Sequence, residues 1–198
     1  MLTADQIDSF KQNGFLILRG VIEPVIIDIW RRSFWESVDA DPNNRATWNK
    51  KPPVSNFKLQ HEDASLSQHP QIAAAIKQLG GGKFFGDSGP PLVHWPTGCD
   101  AWTPPKWGHV DAYPPSFWFP FMLAATAYAY DVEPMGGAFT YWPKSHHSTH
   151  QRFLAAPEMI DGRWAREPGF DWGGPNEFTS LAPHPPQEFV ARAGDVKG

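Results

Sequence analysis

The sequence predicts a mainly β protein, an antiparallel barrel or sandwich, preceded by a layer of helices. From Phe84 onward, short apolar segments alternate with turns rich in Pro and Gly, which is typical of antiparallel sheets. Large rings and turn formers are also frequent, with 10 Trp, 14 Phe, 21 Pro and 17 Gly in 198 residues, which favours packed strands over a helical bundle. We expect one domain over 1–198, with the helical layer in 1–83 and the sheet core in 84–198.

The N-terminal layer is predicted from local signals. Its expected elements are helices over 3–13, 24–38 and 69–79 and a strand over 15–18. Thr3 and Gln6 have the spacing of a capping box, and Gly14 is a typical helix end. The two later helices carry apolar residues at helical spacing, and the run that begins at Gly80 stops the last of them. The polar stretch 41–60 contains three prolines and is predicted to be a loop.

The sheet core is predicted from short apolar runs between turn residues. The expected strands are 92–95, 117–121, 123–130, 138–142 and 189–191. The stretch 158–186 contains many Pro, Gly and Trp residues but few periodic segments. We expect it to be a long insertion or a lid loop, because long loops of this kind often cover a site.

Charge and cysteine content exclude several classes of protein. The net charge of -4 offers no basic stripe for nucleic acid. Cys99 is the single cysteine, so no internal disulfide forms and a reducing compartment is expected. The first residues lack the features of a signal peptide, and the longest apolar stretch, 117–130, is broken by Pro120 and is too short to span a bilayer. These features predict a cytoplasmic protein without a membrane partner.

His109 and Asp111 form the motif that points to chemistry. On an extended backbone, side chains two residues apart lie on the same face, so this imidazole and this carboxylate can meet one metal ion. A third ligand from elsewhere would complete a facial triad with open positions for other molecules. The alternative for so short a motif is an ordinary surface turn.

Several segments extend this motif into an ordered pattern over nearly the whole chain. They are the opening helix and strand over 2–20, His69-Pro70 with the helix after it, 107–111 around the motif, Gly-Gly-Ala-Phe at 136–139 with Pro-Lys-Ser-His at 143–146, and the Gly-Asp strand at 192–196. Through these segments the chain resembles the phytanoyl-CoA dioxygenase family. The resemblance implies a double-stranded β-helix (jelly-roll) that binds Fe(II) through His109 and Asp111. It also implies hydroxylation of a small molecule, coupled to decarboxylation of 2-oxoglutarate.

The chain departs from this family pattern after the Gly-Asp strand. The family takes its third iron ligand from a histidine beyond this strand and pairs 2-oxoglutarate with an arginine that follows, and neither residue occurs before Gly198. We expect a fragment of a longer chain, the alternative being a naturally short, inactive relative. The jelly-roll would then lack its last strands and bind iron weakly. A homo-oligomer is expected to cover the exposed sheet edges.

Further candidate residues surround the motif, each with a plainer alternative. The candidates for binding 2-oxoglutarate are Thr126, Tyr128 and Lys106, and those for the substrate pocket are Trp107, Tyr113 and Trp142. Thr126, Tyr128 and Tyr130 alternate along one predicted strand and so share a face. Ordinary barrel interior, core packing or a solvated lysine are the alternatives. His146 is expected to be a turn histidine bonded to the backbone.

Two other classes of function also fit the sequence. One is a non-catalytic jelly-roll domain that binds a small molecule in the same pocket. The other is a cupin-type metal enzyme, which would need more histidines on strands than the sequence offers. A coenzyme A ligand is not expected for this chain, although the family name mentions one, because the sequence has no basic cluster suited to the phosphates of coenzyme A.

Overall fold

A computed structural model of the chain describes residues 1–38, 40–48, 64–81, 93, 95, 108, 123–155 and 182–198. The α-helices are α1 (Ala4–Asn13), α2 (Pro24–Val38), α3 (Pro70–Leu79) and α4 (Ser145–Ala155). Single 3-10 turns lie at Arg45–Thr47 and Leu66–Gln68. The strands are β1 (Ile17–Leu18), β2 (Thr126–Ala127), β3 (Thr140–Tyr141), β4 (Gln187–Glu188) and β5 (Val196–Lys197).

The first three helices confirm the local predictions. In α1 the Thr3 side chain accepts from the Gln6 N–H while the Gln6 side chain accepts from the Thr3 N–H, so both halves of the capping box form. Gly14 ends α1 in the left-handed region at φ 80°, where a residue without Cβ is favoured. The helices α2 and α3 both begin at a proline, which suits the first turn because its N–H needs no partner there.

A small aliphatic core joins these helices to the C-terminal strand. Its buried residues are Ile22, Ile27, Ile72 and Val196. They come from the start of α2, from α3 and from β5, so segments far apart in sequence share one core. Fully burying a side chain of this size contributes about 1.5–3 kcal/mol. Beside the core, the buried His69 Nε2 lies 2.9 Å from Glu23 Oε2, which ties the beginning of α3 to that of α2.

Two small antiparallel sheets complete the described structure. The first has the order β1-β5-β2, with β5 in the centre and Lys197 opposite both Ile17 and Thr126. The second pairs β3 with β4, with Thr140 opposite Glu188. An antiparallel bridge between Val132 and Ala191 joins the segment after β2 to the segment between β4 and β5.

The prediction of a mainly β fold, and of the jelly-roll that the family resemblance implied, is wrong. Of the described residues, 45% are helical and only 10% are in strands, so helices dominate. Each named strand pairs over two residues, because turns soon interrupt the apolar runs. The run at 138–142 ends at Pro143, and the polar residues after it form α4, whose hydrogen bonds are local and need no partner strand. The predicted strand at 117–121, half of that at 92–95 and most of 158–186 lie outside the described residues.

Candidate functional site

The predicted iron motif meets the described structure at one residue. Five predicted site residues lie outside the described part of the chain, namely Lys106, Trp107, His109, Asp111 and Tyr113. Gly108, which precedes His109 in sequence, is described and packs against Trp142. A Cβ added to Gly108 would lie 2.5 Å from Cζ3 of the Trp142 ring, closer than carbon atoms approach. Glycine is therefore needed at position 108 to accommodate the indole.

One face of the three-stranded sheet carries polar groups. Residues directly opposite each other in antiparallel strands point to the same side, so Ile17, Lys197 and Thr126 share this face. The opposite face carries Val196, which is buried in the aliphatic core, with Ala127 beside it. The strand period of two thus sends Val196 to the core and Lys197 to the other side.

Lys197 lies in a cage of three aromatic rings, which we call the aromatic cage and define by Phe15, Phe139 and Tyr141. Its Nζ is 4.0 Å from the centroid of the Tyr141 ring, 5.1 Å from that of Phe15 and 5.5 Å from that of Phe139. The residue is only 8% exposed. Burial lowers the pKa of Lys197 to about 8, because a charged ammonium loses solvation inside the protein.

The two other predicted residues of this region take different positions. The Tyr128 hydroxyl accepts a hydrogen bond of 2.7 Å from the Phe139 N–H, and its ring stacks on Phe189 at 5.1 Å. Burial raises the pKa of Tyr128, so its hydroxyl keeps its proton. Tyr130 lies beyond the end of β2 and contacts α2 instead, where its hydroxyl accepts a 2.7 Å hydrogen bond from Trp35 Nε1.

Asp195 is a buried carboxylate next to this face. It accepts hydrogen bonds from Arg19 Nη1 at 2.6 Å, from the Gly20 N–H at 2.8 Å and from the Arg192 N–H at 3.1 Å. Burial acts to raise the pKa of Asp195, but these hydrogen bonds together hold it below its usual value. The Gly-Asp segment is thereby fixed to the turn that follows β1.

The Pro-Lys-Ser-His segment binds the end of α1. His146 Nε2 lies 2.9 Å from the carbonyl oxygen of Lys11, and since a carbonyl only accepts, Nε2 carries the proton. A Cβ added to Gly14 would lie 2.3 Å from His146 Nδ1, so the ring lies directly on this glycine. Burial lowers the pKa of His146. The prediction of a histidine bonded to the backbone is confirmed, although it lies at the start of α4 instead of in an extended turn.

The sequence analysis singled out Thr126, Tyr128 and Trp142 as candidates but did not single out Lys197. The missing information was the pairing register, which brings residues 17, 126 and 197 into one row. A usable signal did exist. In the last strand an aliphatic Val196 alternates with Lys197, and a lysine at a strand position in so aromatic a chain is a candidate for contact with rings.

Comparison of the chain with protein-family models, with curated proteins and with solved structures gives no match. Within the described ranges, no group of three or more His, Cys, Asp or Glu side chains is placed to hold a metal ion. In the same part of the chain, no helix combines the length and the apolar character needed to cross a bilayer.

Proposed function

We propose that the protein is an Fe(II)- and 2-oxoglutarate-dependent oxygenase that hydroxylates a small organic molecule. His109 and Asp111 are the proposed iron ligands, because Fe(II) in such sites takes imidazole and carboxylate donors. Bound iron and 2-oxoglutarate would supply the oxidising chemistry. The chain would hold the ligands, orient both small molecules and keep water out.

The observation that carries the proposal is that segments of the family resemblance contact one another. The Pro-Lys-Ser-His segment lies against the end of α1, where the Lys144 N–H donates to Asn13 O at 2.9 Å. The Gly-Asp segment binds the turn after β1 through Gly20 and Asp195, which are 175 residues apart in sequence. These contacts bring segments from both ends of the resemblance together, as residues of one site would be, and so support the proposal.

A further contact supports the same proposal. Trp142 lies between two parts of the resemblance, since it precedes the Pro-Lys-Ser-His segment and its ring packs on Gly108. Gly108 is the residue before the proposed ligand His109. We propose that Trp142 forms one wall of the substrate pocket, together with Trp107 and Tyr113.

Two hydroxyl groups are proposed to bind 2-oxoglutarate. Thr126 lies on the polar face of the sheet and offers a hydroxyl donor. Tyr128 accepts from the Phe139 N–H and retains its own proton, so it can donate to an oxygen of the co-substrate. Lys106 is proposed as a further positive charge for the co-substrate. Together these groups suit a molecule that carries two carboxylates.

Formation of succinate from 2-oxoglutarate in the presence of Fe(II) and oxygen tests the proposed activity. Because iron binding is expected to be weak, the wild-type protein is expected to form succinate slowly and only at high Fe(II), and His109→Ala to abolish it because an iron donor is lost. His184→Ala is the matched control, since His184 is an exposed histidine in a Pro-rich segment and should leave the rate unchanged. Absence of succinate from the wild-type reaction, or equal rates in both variants, would contradict the proposal.

A further inference from the structure

We propose that Lys197 binds the carboxylate group of a small organic acid, whose carbon chain packs against the aromatic cage. The inference shares Thr126 with the proposed 2-oxoglutarate site, but it needs neither a metal nor His109 and Asp111. It rests on the position of one ammonium group, on the rings around it and on the hydroxyl of the neighbouring strand.

The ammonium of Lys197 has donors that the described residues leave unused. It carries three N–H groups, and a buried charge is stable only when it is paired or well hydrogen-bonded. Among the described residues no carboxylate pairs with it. Its contacts there are the faces of the three rings, which attract a cation but provide no oxygen acceptor.

Asp195 shows how the same fold treats another buried charge. Two residues away from Lys197 and 4% exposed, this carboxylate receives three hydrogen bonds from the surrounding chain. Lys197, at 8% exposed, receives no comparable partner from the described residues. The donors of Lys197 are therefore not taken by the described residues, and we propose that a bound molecule supplies the acceptor.

The surroundings of Lys197 favour a carboxylate over other anions. A single ammonium group among apolar rings can pair with a singly charged carboxylate whose carbon chain contacts the rings. A phosphate carries more charge and needs several hydrogen-bond donors. Thr126 lies directly opposite Lys197, at a Cβ separation of about 4.5–5.5 Å, and offers a hydroxyl to the second carboxylate oxygen. Phe139 is 47% exposed, so this ring lies at the protein surface.

The charge state of Lys197 agrees with this role. With a pKa of about 8 the amine is mostly protonated at neutral pH and attracts an anion. Tyr141 is the titratable side chain in contact with it, and burial raises the pKa of that phenol, so Tyr141 stays neutral. The carboxylate would therefore meet a positive charge without a competing negative one on the aromatic cage.

Glutarate is a suitable probe, because it has the two carboxylates of a small diacid but lacks the 2-oxo group needed to chelate iron. Lysine acylation by a limiting amount of acetic anhydride, mapped by mass spectrometry, measures the protection of each amine. For a dissociation constant of about 1 mM, about 10 mM glutarate is expected to slow acylation of Lys197 about tenfold. Acylation of the exposed Lys77 should not change.

Calorimetric titration with glutarate gives the second readout. Binding should be lost in Lys197→Met, weakened less in Lys197→Arg and unchanged in Lys77→Met. The inference is overturned if Lys197→Met binds glutarate as the wild type does, if the wild type shows neither binding nor protection, or if inorganic phosphate protects Lys197 better than glutarate does. The protection experiment uses the wild-type chain and so decides the matter even if a variant fails to fold. Binding without iron-dependent turnover would contradict the iron proposal alone.

Discussion

Replacing Lys197 by methionine removes a buried ammonium from the aromatic cage and keeps an unbranched side chain of similar length. In the free protein this charge has lost most of its solvation and has no carboxylate partner among the described residues. Methionine fills the same space and makes favourable sulfur–ring contacts. We therefore expect Lys197→Met to raise the free energy of unfolding at neutral pH.

The size of the gain follows from the pKa of Lys197. The difference between its ordinary value of 10.5 and about 8 in the folded protein corresponds to a penalty of about 3 kcal/mol for the charged form. Any attraction between the ammonium and the rings, of which the contact with Tyr141 at 4.0 Å is the shortest, is already contained in that difference. The expected gain of Lys197→Met is therefore up to about 3 kcal/mol.

The gain should depend on pH in a defined direction. Because the folded pKa of Lys197 lies below the unfolded one, the unfolded chain binds more protons between pH about 8 and 10.5, and the stability of the wild type rises with pH across that window. Below this window the penalty is fully present, and above it both states are neutral.

Urea unfolding followed by circular dichroism, at neutral pH and again near the upper end of that window, measures this difference. Lys77→Met is the matched control, because Lys77 is an exposed lysine of α3 and its replacement should change stability by no more than about 0.5 kcal/mol at either pH. A Lys197→Met variant less stable than the wild type at neutral pH, or a gain that does not shrink as pH rises, would refute the reasoning.

Two further predictions concern the contacts between segments. Gly14→Ala should lower the free energy of unfolding by at least about 2 kcal/mol, because the new Cβ meets the His146 ring as well as a left-handed backbone. Gly137→Ala is its control, having φ 81° and open space around it, and should cost about 1 kcal/mol in the same urea experiment. Asp195→Ala should cost about 2–4 kcal/mol, because it leaves buried N–H groups unpaired. The pKa of Asp195 is lowered in the folded state, so its contribution to the free energy of unfolding is present above its ordinary pKa of 3.8 and is lost as the pH falls below that value. The acid unfolding curves of wild type and Asp195→Ala should therefore converge at low pH. Parallel curves would contradict this prediction.

Local signals in the sequence were sufficient for the helices. Thr3, Gln6 and Gly14 act within a few residues of one another, so the pattern of α1 could be recognised without knowing the rest of the fold. Pro24 and Gly80 mark the start of α2 and the end of α3 in the same way. Helices depend on hydrogen bonds between near neighbours, which is why the bounds of α1, α2 and α3 were predicted to within about one residue, although α4 was not predicted.

The sheets and the aromatic cage could not be predicted by the same means. Strands require partners that are distant in sequence, and an apolar run between turns does not specify how many residues will pair. Here the runs pair over two residues each, and the polar segment after Pro143 becomes helix α4. The position of Lys197 depends on its register with Ile17 and Thr126, which a single sequence does not provide.

Anaerobic titration of the protein with Fe(II), with and without 2-oxoglutarate, tests the central claim most directly. Joint binding of metal and co-substrate gives a weak visible charge-transfer band. We predict that the band appears only when both are present, that Asp111→Ala abolishes it, and that the exposed Asp28→Ala control retains it. A wild-type protein without the band, or an Asp111→Ala variant with an unchanged one, would contradict the assignment of this chain to the iron- and 2-oxoglutarate-dependent oxygenases.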